Sequence, residues 1–215
     1  MEFDFARLDR RDGYKLMVST VTPRPIAWVV TASPTGQLNA APFSFFNVLS
    51  GDPPVVAIGI AHRDNGPLKD TPRNIEATGE FVVNLVSEEM IREMNVTAIE
   101  FGPEVDEIAE AKLRTAPSVK VKPPRIADSP VALECKLMTA MPIEDSRTII
   151  IGRAVTMHVR DDCVLDAKRC YIDTPKLHLV ARMHGRGWYA RTTDLFELPR
   201  IAARDWQARK ASAAE

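Results

Sequence analysis

Residues 69–74 read "KDTPRN", a run that sets a lysine, a hydroxyl and an amide around the predicted start of a helix. A helix N-terminus carries unpaired N–H groups and a partial positive charge, and the two together suit a phosphate. Lys69 adds a full charge, Thr71 an O–H and Asn74 an amide, and Arg63 in the preceding loop can fold back to the same place. Capping alone needs only Thr71. An ordinary capped helix with a solvated lysine is the plainer reading, and Lys69 is the residue it leaves without a task.

Two earlier runs carry further chemistry. In "NAAPFSFFN", residues 39–47, Ser44 lies among aromatic residues and Asn47 follows three positions on. Read as a single strand, the run puts Ser44 and Phe46 on one face and Phe43 and Phe45 on the other. A hydroxyl and a ring beside a phosphate site would suit a ligand with a flat ring and a polar tail; a core strand with a hydrogen-bonded serine is the alternative. In "TPRPIAWVVT", residues 22–31, Arg24 stands between two prolines. Proline fixes its own φ and drives the preceding residue toward extended geometry, so Arg24 is expected to project from a stiff ledge. A solvated arginine at the edge of a strand is the other reading.

The elements that must position these runs are mostly strands. "AWVVTAS" and "AAPFSFFNV" read as strands joined by a turn at Gly36, and "PPVVAIGIAH" and "FVVNLV" as buried strands. Between the last two, Thr71 as cap, Pro72 in the first turn and Gly79 past the end predict a short helix. "SEEMIREMNVT" reads as a helix opened by Ser87, and "VALECKLMTAMPI" with "TIIIGRAVTMHVRD" as a hairpin turning around "EDSR". The segment from Glu100 to Pro130 holds a short amphipathic stretch and a proline-rich one. "KLHLVARMHGRGWYARTTDLFELPR" reads as irregular, and the tail after Arg200 as helical or frayed. Adjacent short strands with inserted helices fit an antiparallel barrel better than a doubly wound sheet, and no GxGxxG run follows a strand.

Bulk properties narrow the class. The 215 residues suffice for one large domain or two small ones, and a formal net charge of −1 provides no field for nucleic acid or a membrane surface. The first residues mix both charge signs without an apolar run, so a cytoplasmic protein is expected. The three cysteines form no CxxC pair and the four histidines no metal-binding spacing. No paired carboxylates or Ser–His–Asp set can be placed, so no acid, base or nucleophile is nominated.

In their order along the chain, and followed by "EFVVNLV", the three runs resemble the flavin reductase-like, FMN-binding split-barrel family. The resemblance is strong over about residues 15–90 and extends more weakly to "VARMHGRGWYARTTDLFELPR". There relatives commonly show an Arg-x-Gly-Gly-x-x-Tyr type of segment, and this chain departs from it by setting His184 and Arg186 around Gly185. The resemblance implies a mainly β fold with peripheral helices, the FMN-binding split β-barrel, spanning residues 1–215 as one domain with a peripheral tail from about 200. It implies non-covalent FMN, NADH or NADPH as electron donor, and a homodimer with the flavin at or near the interface.

Carried over by residue, the resemblance has Arg24, Pro25, Ile26 and Ala27 line the isoalloxazine, the Arg24 charge favouring the reduced, anionic ring. Ser44, Phe45, Phe46 and Asn47 would follow the ring and ribityl chain. Lys69 and Thr71 would hold the phosphate, with Arg63 and Asn74 as helpers, and His184 would approach the flavin or the nicotinamide. Trp188 and Tyr189 could stack at the site, with core or dimer packing the plainer expectation for both. The activity implied is hydride transfer from NAD(P)H to flavin, supplying a monooxygenase or another redox partner protein. The alternative is a flavoredoxin-like FMN electron carrier without its own small-molecule substrate. An amine oxidase of the pyridoxamine-phosphate type ranks below both, for want of its arginine-rich loop, and a barrel with no cofactor remains the bland alternative.

Overall fold

A computed structural model describes residues 1–206 apart from 64–67, 103 and 145. Parts of the loop after Arg63, of the "EDSR" turn and of the tail therefore lie outside the described residues. In chain order the elements begin with α1 (Arg10–Thr20), β1 (Ala27–Ala32), β2 (Leu38–Phe43), β3 (Phe46–Gly51), β4 (Pro54–Ala61), α2 (Asp70–Thr78) and β5 (Glu80–Leu85). Next come α3 (Ile91–Val96), α4 (Glu107–Glu110), β6 (Thr115–Ala116), β7 (Arg125–Ile126), β8 (Val131–Ile143) and β9 (Arg147–Val159). Two small hairpins follow, β10 (Val164–Asp166) with β11 (Tyr171–Ile172) and β12 (Val180–Arg182) with β13 (Tyr189–Arg191).

The main sheet has seven antiparallel strands in the order β2-β1-β5-β8-β9-β4-β3. Its two outermost strands, β2 and β3, are consecutive in the chain and separated only by Ser44 and Phe45. Two edges joined by so short a link must lie together, so the sheet rolls into a barrel. The switch is abrupt: Phe43 is still opposite Ala27 of β1, while the Phe45 carbonyl already accepts from Gly59 of β4 at 2.7 Å. The expected single strand over 40–48 is thus corrected to two, because the chain changes ladder partners at Ser44. With the alternation broken there, Ser44 and Phe46 do not share a face.

Strand alternation sorts the core into an interior and an outer layer. Ala27 and Val29 of β1 point inward with Ile58, Phe81, Leu133 and Ile150. Trp28 and Val30 point outward, under Met90, Met94 and Ile108 from the helical segment that follows β5. Every residue of β1 is buried, which explains its continuous apolar run. The interior is tight: a Cβ on Gly152 of β9 would come within 2.4 Å of the Phe81 ring, so glycine is required for the close approach.

Helix α2 ends as its sequence predicts, with Gly79 left-handed at φ 72°. Its start differs. Lys69 occupies the cap position with no side-chain cap bond, and Thr71 lies buried within the first turn. The hairpin β8–β9 forms as expected, whereas residues 180–191, read as irregular, form β12–β13. That hairpin docks on the ledge before β1 through reciprocal backbone bonds between Arg24 and Arg182, at 3.1 and 2.8 Å.

Candidate functional site

The break between β2 and β3 opens a groove on the barrel's side. One lobe, about 100 Å³, is bordered by Arg63, Lys69, Thr71 and Glu107; the other, about 250 Å³, by Ile26, Ser44, Asn95, Arg182, Arg186 and Tyr189. Both lobes are bordered by Pro42, Phe43 and Ala98, so they lie side by side along one apolar strip.

The narrow lobe is built at the start of α2. Thr71 is 1% exposed, and its Oγ1 accepts from Asn39 Nδ2 at 3.0 Å. An acceptor role toward Asn39 leaves the hydroxyl proton to be donated elsewhere. Lys69 Nζ donates to Glu100 at 3.1 Å and Arg63 to Asp70 at 3.3 Å, so each cation is held by an acid beside the lobe. Partly exposed pairs of this kind contribute about 0–1 kcal/mol, and an incoming dianion competes with them at small cost. Glu107 is buried and accepts from the Ala40 amide at 3.2 Å. Burial pushes its carboxyl above the usual carboxylate range, the local amides oppose this, and Asp70 and Asp106 reinforce it.

The wide lobe is walled by the β12–β13 hairpin. The Arg182 guanidinium donates to the carbonyls of Trp188, Gly185 and Arg186 at 3.2, 3.2 and 2.9 Å, and lies 4.8 Å from the centre of the Tyr189 ring. Its charge therefore braces the hairpin loop. Beside it, Ile26, 4% exposed, and Tyr189 offer apolar surface.

The nominated residues separate accordingly. Ile26, Ser44, Arg63, Lys69 and Thr71 line the groove. Arg24 is corrected: its guanidinium turns inward and donates to the carbonyls of Val18, Val21 and Met183 at 2.8, 3.0 and 2.9 Å. The ledge is extended as expected, but the side chain ties α1 to the β12–β13 hairpin. Pro25 is exposed beside it, and Ala27 points into the barrel. Phe46 packs against the interior, and Phe45 lies over Gly59 with Tyr14 and Arg147 around its ring. Asn47 is exposed on β3, its Oδ1 accepting from the Val48 amide. Asn74 Nδ2 donates to Thr31 Oγ1 at 3.1 Å, clamping α2 to β1 away from the groove. His184 is exposed on the hairpin loop and stacks on Trp188 at 5.9 Å.

Other groove residues were not foreseen. Pro42 and Phe43 lay in a run already singled out, and for Tyr189 packing was the plainer expectation. Asn95, Ala98, Glu107, Arg182 and Arg186 depend on long-range docking that no local pattern announces. Among the described residues no cluster of acids, histidines and cysteines could hold a metal. No helix is long and apolar enough to cross a membrane.

A narrow lobe with a hydroxyl and two acid-paired cations, beside a wider lobe with apolar walls and two arginines, can receive a planar molecule with an anionic tail. A family model described as a flavin reductase like domain matches residues 18–175. Among solved structures, the 2-nitrobenzoate 2-nitroreductase NbaA of Pseudomonas fluorescens superposes with a TM-score of 0.86 at 31% identity, covering 94% of this chain and 98% of that one. Component B of nitrilotriacetate monooxygenase from Bacillus cereus gives a TM-score of 0.86 at 31% identity, over 92% and 98% of the two chains. A putative flavin reductase with a split barrel domain from Shewanella frigidimarina, at 21% identity, shares the fold with a TM-score of 0.79 over 94% and 100%.

Proposed function

The chain belongs to the flavin reductase-like family with the split-barrel fold, and from that premise we propose that it binds FMN and oxidises NADH or NADPH with it. The observation that carries this reading is the groove itself, with the Thr71 hydroxyl and the Lys69 and Arg63 cations in its narrow lobe and apolar side chains beside two arginines in its wide one. Held there, FMN would supply the hydride-accepting redox chemistry for a dihydronicotinamide donor. Lys69, Arg63 and the Thr71 hydroxyl would hold its phosphate. Pro42, Phe43 and Ile26 would exclude water from one face of the ring, and Ser44 would meet its polar edge. These residues orient and shield, and the transfer requires no protein acid or base.

Likeness to a monooxygenase component supports delivery of reduced flavin to a separate oxygenase, and likeness to a nitroreductase supports reduction of an organic acceptor in place. The protein is further proposed to work as a homodimer, consistent with the exposed Val48 and Leu49 on β3 and Leu195, Phe196 and Leu198 in the tail. Light scattering would then return twice the 23.9 kDa of the chain; a monomeric mass at working concentration would refute it.

The test of activity mixes purified protein with FMN and either NADH or NADPH, and follows nicotinamide absorbance. Consumption beyond the rate of free FMN supports the reductase. Flavin retained through gel filtration with neither nucleotide oxidised would instead identify an electron carrier.

A further inference from the structure

We propose that Arg186 is the specificity residue for the electron donor, binding the phosphates of the dinucleotide as its nicotinamide enters the wide lobe. This rests on the flavin-reductase reading and adds a recognition element to the same groove.

Two arginines and no carboxylate line the wide lobe, in a chain whose formal net charge is −1. The two are not equivalent. Arg182 is spent on the three loop carbonyls and the Tyr189 ring. Arg186 is exposed at the tip of the same hairpin, and among the described residues its guanidinium has no hydrogen-bond or ion-pair partner. Its own carbonyl is one of those Arg182 holds, at 2.9 Å, so the backbone beneath the cation is fixed while the side chain remains available. Gly185, at φ 63°, makes the turn that presents it.

The flavin leaves this charge without a task, because its dianionic tail belongs at the Lys69 lobe and an oxidised isoalloxazine carries no charge. Because the hairpin borders the wide lobe, a dinucleotide that set its nicotinamide against a ring there could lay its pyrophosphate along the hairpin tip. Arginine binds phosphate oxygens in a bidentate fork, and the bonds are charge-assisted. The adjoining His184–Trp188 stack is exposed on the same tip, so the approach is bordered by aromatic surface.

The experiment compares Arg186→Ala, Arg186→Lys and the unaltered FMN-loaded protein with NADH, NADPH and the uncharged donor 1-benzyl-1,4-dihydronicotinamide. Loss of a charge-assisted contact predicts that Arg186→Ala lowers the ratio of kcat/KM for either dinucleotide to that for the benzyl analogue about tenfold or more. The loss lies in KM, lysine restores part of it, and added salt narrows the gap between the unaltered protein and the alanine variant. An equal fall for all donors, or no fall, overturns the assignment. A matching loss of FMN affinity, measured by flavin fluorescence, would place Arg186 in the flavin site and also overturn it. Failure of the unaltered protein to oxidise any donor would instead refute the reductase reading beneath it, and this proposal with it.

Discussion

At the scale of single residues, the groove places charges where a bound anion would change their balance. Glu107 is the sharpest case, a buried acid bordering the narrow lobe. Its carboxyl titrates above the ordinary value of 4.5, chiefly through burial. The folded protein therefore retains that proton more firmly than the unfolded chain, and stability falls as pH rises through the raised value. Glu107→Gln keeps an acceptor for the Ala40 amide and removes the ionisation. Its melting temperature should equal that of the parent below pH 4.5 and exceed it increasingly toward neutrality. Each kcal/mol gained would appear as about 2–4 °C. A constant difference across that range would show that Glu107 is not held out of its charged state.

At the scale of elements, two buried side chains fasten segments with little regular structure of their own. Arg24 joins the last turn of α1 to the β12–β13 hairpin. Arg24→Ala should cost about 1–3 kcal/mol in denaturant unfolding and raise amide exchange across residues 180–191. Exchange unchanged in that hairpin would contradict the tether. Glu134, with no exposed surface, accepts from His158 Nε2 at 2.6 Å and from the amides of Val119 and Lys120 at 2.7 and 2.5 Å. It pins the proline-rich segment to the barrel. Burial pushes this carboxyl up, but the three donors outweigh it and hold it below the ordinary 4.5. The stability it contributes is present above that value and lost as pH falls through the depressed one. Glu134→Gln should lose about 1–3 kcal/mol at neutral pH and lack that step in acid. A parental acid profile in the variant would assign the step elsewhere.

At the scale of the whole molecule, what the sequence disclosed followed from range. Strands β1, β4 and β5, the β8–β9 hairpin and the Gly79 stop are written in local patterns of apolar runs and turn residues, and they form where read. The break at Ser44 is not local. Phe43 and Phe45 belong to opposite edges of one rolled sheet, and nothing within "NAAPFSFFN" distinguishes that from a continuous strand. The site divides the same way: Lys69, Thr71 and Ser44 stood out by residue type, while Arg186 and Glu107 reach the groove by docking from distant segments. Arg24 shows the converse, since its proline frame fixed the backbone and said nothing of where the guanidinium would turn.

The central claim, a flavin phosphate seated at the Lys69 end of the groove, is tested most directly by fluorescence titration of the apoprotein with FMN and with riboflavin, which lacks only the phosphate. Charge-assisted bonds to that group predict FMN binding tighter by about a hundredfold, with most of the gap closed in Lys69→Ala. Equal affinity for the two flavins in the unaltered protein would contradict the assignment.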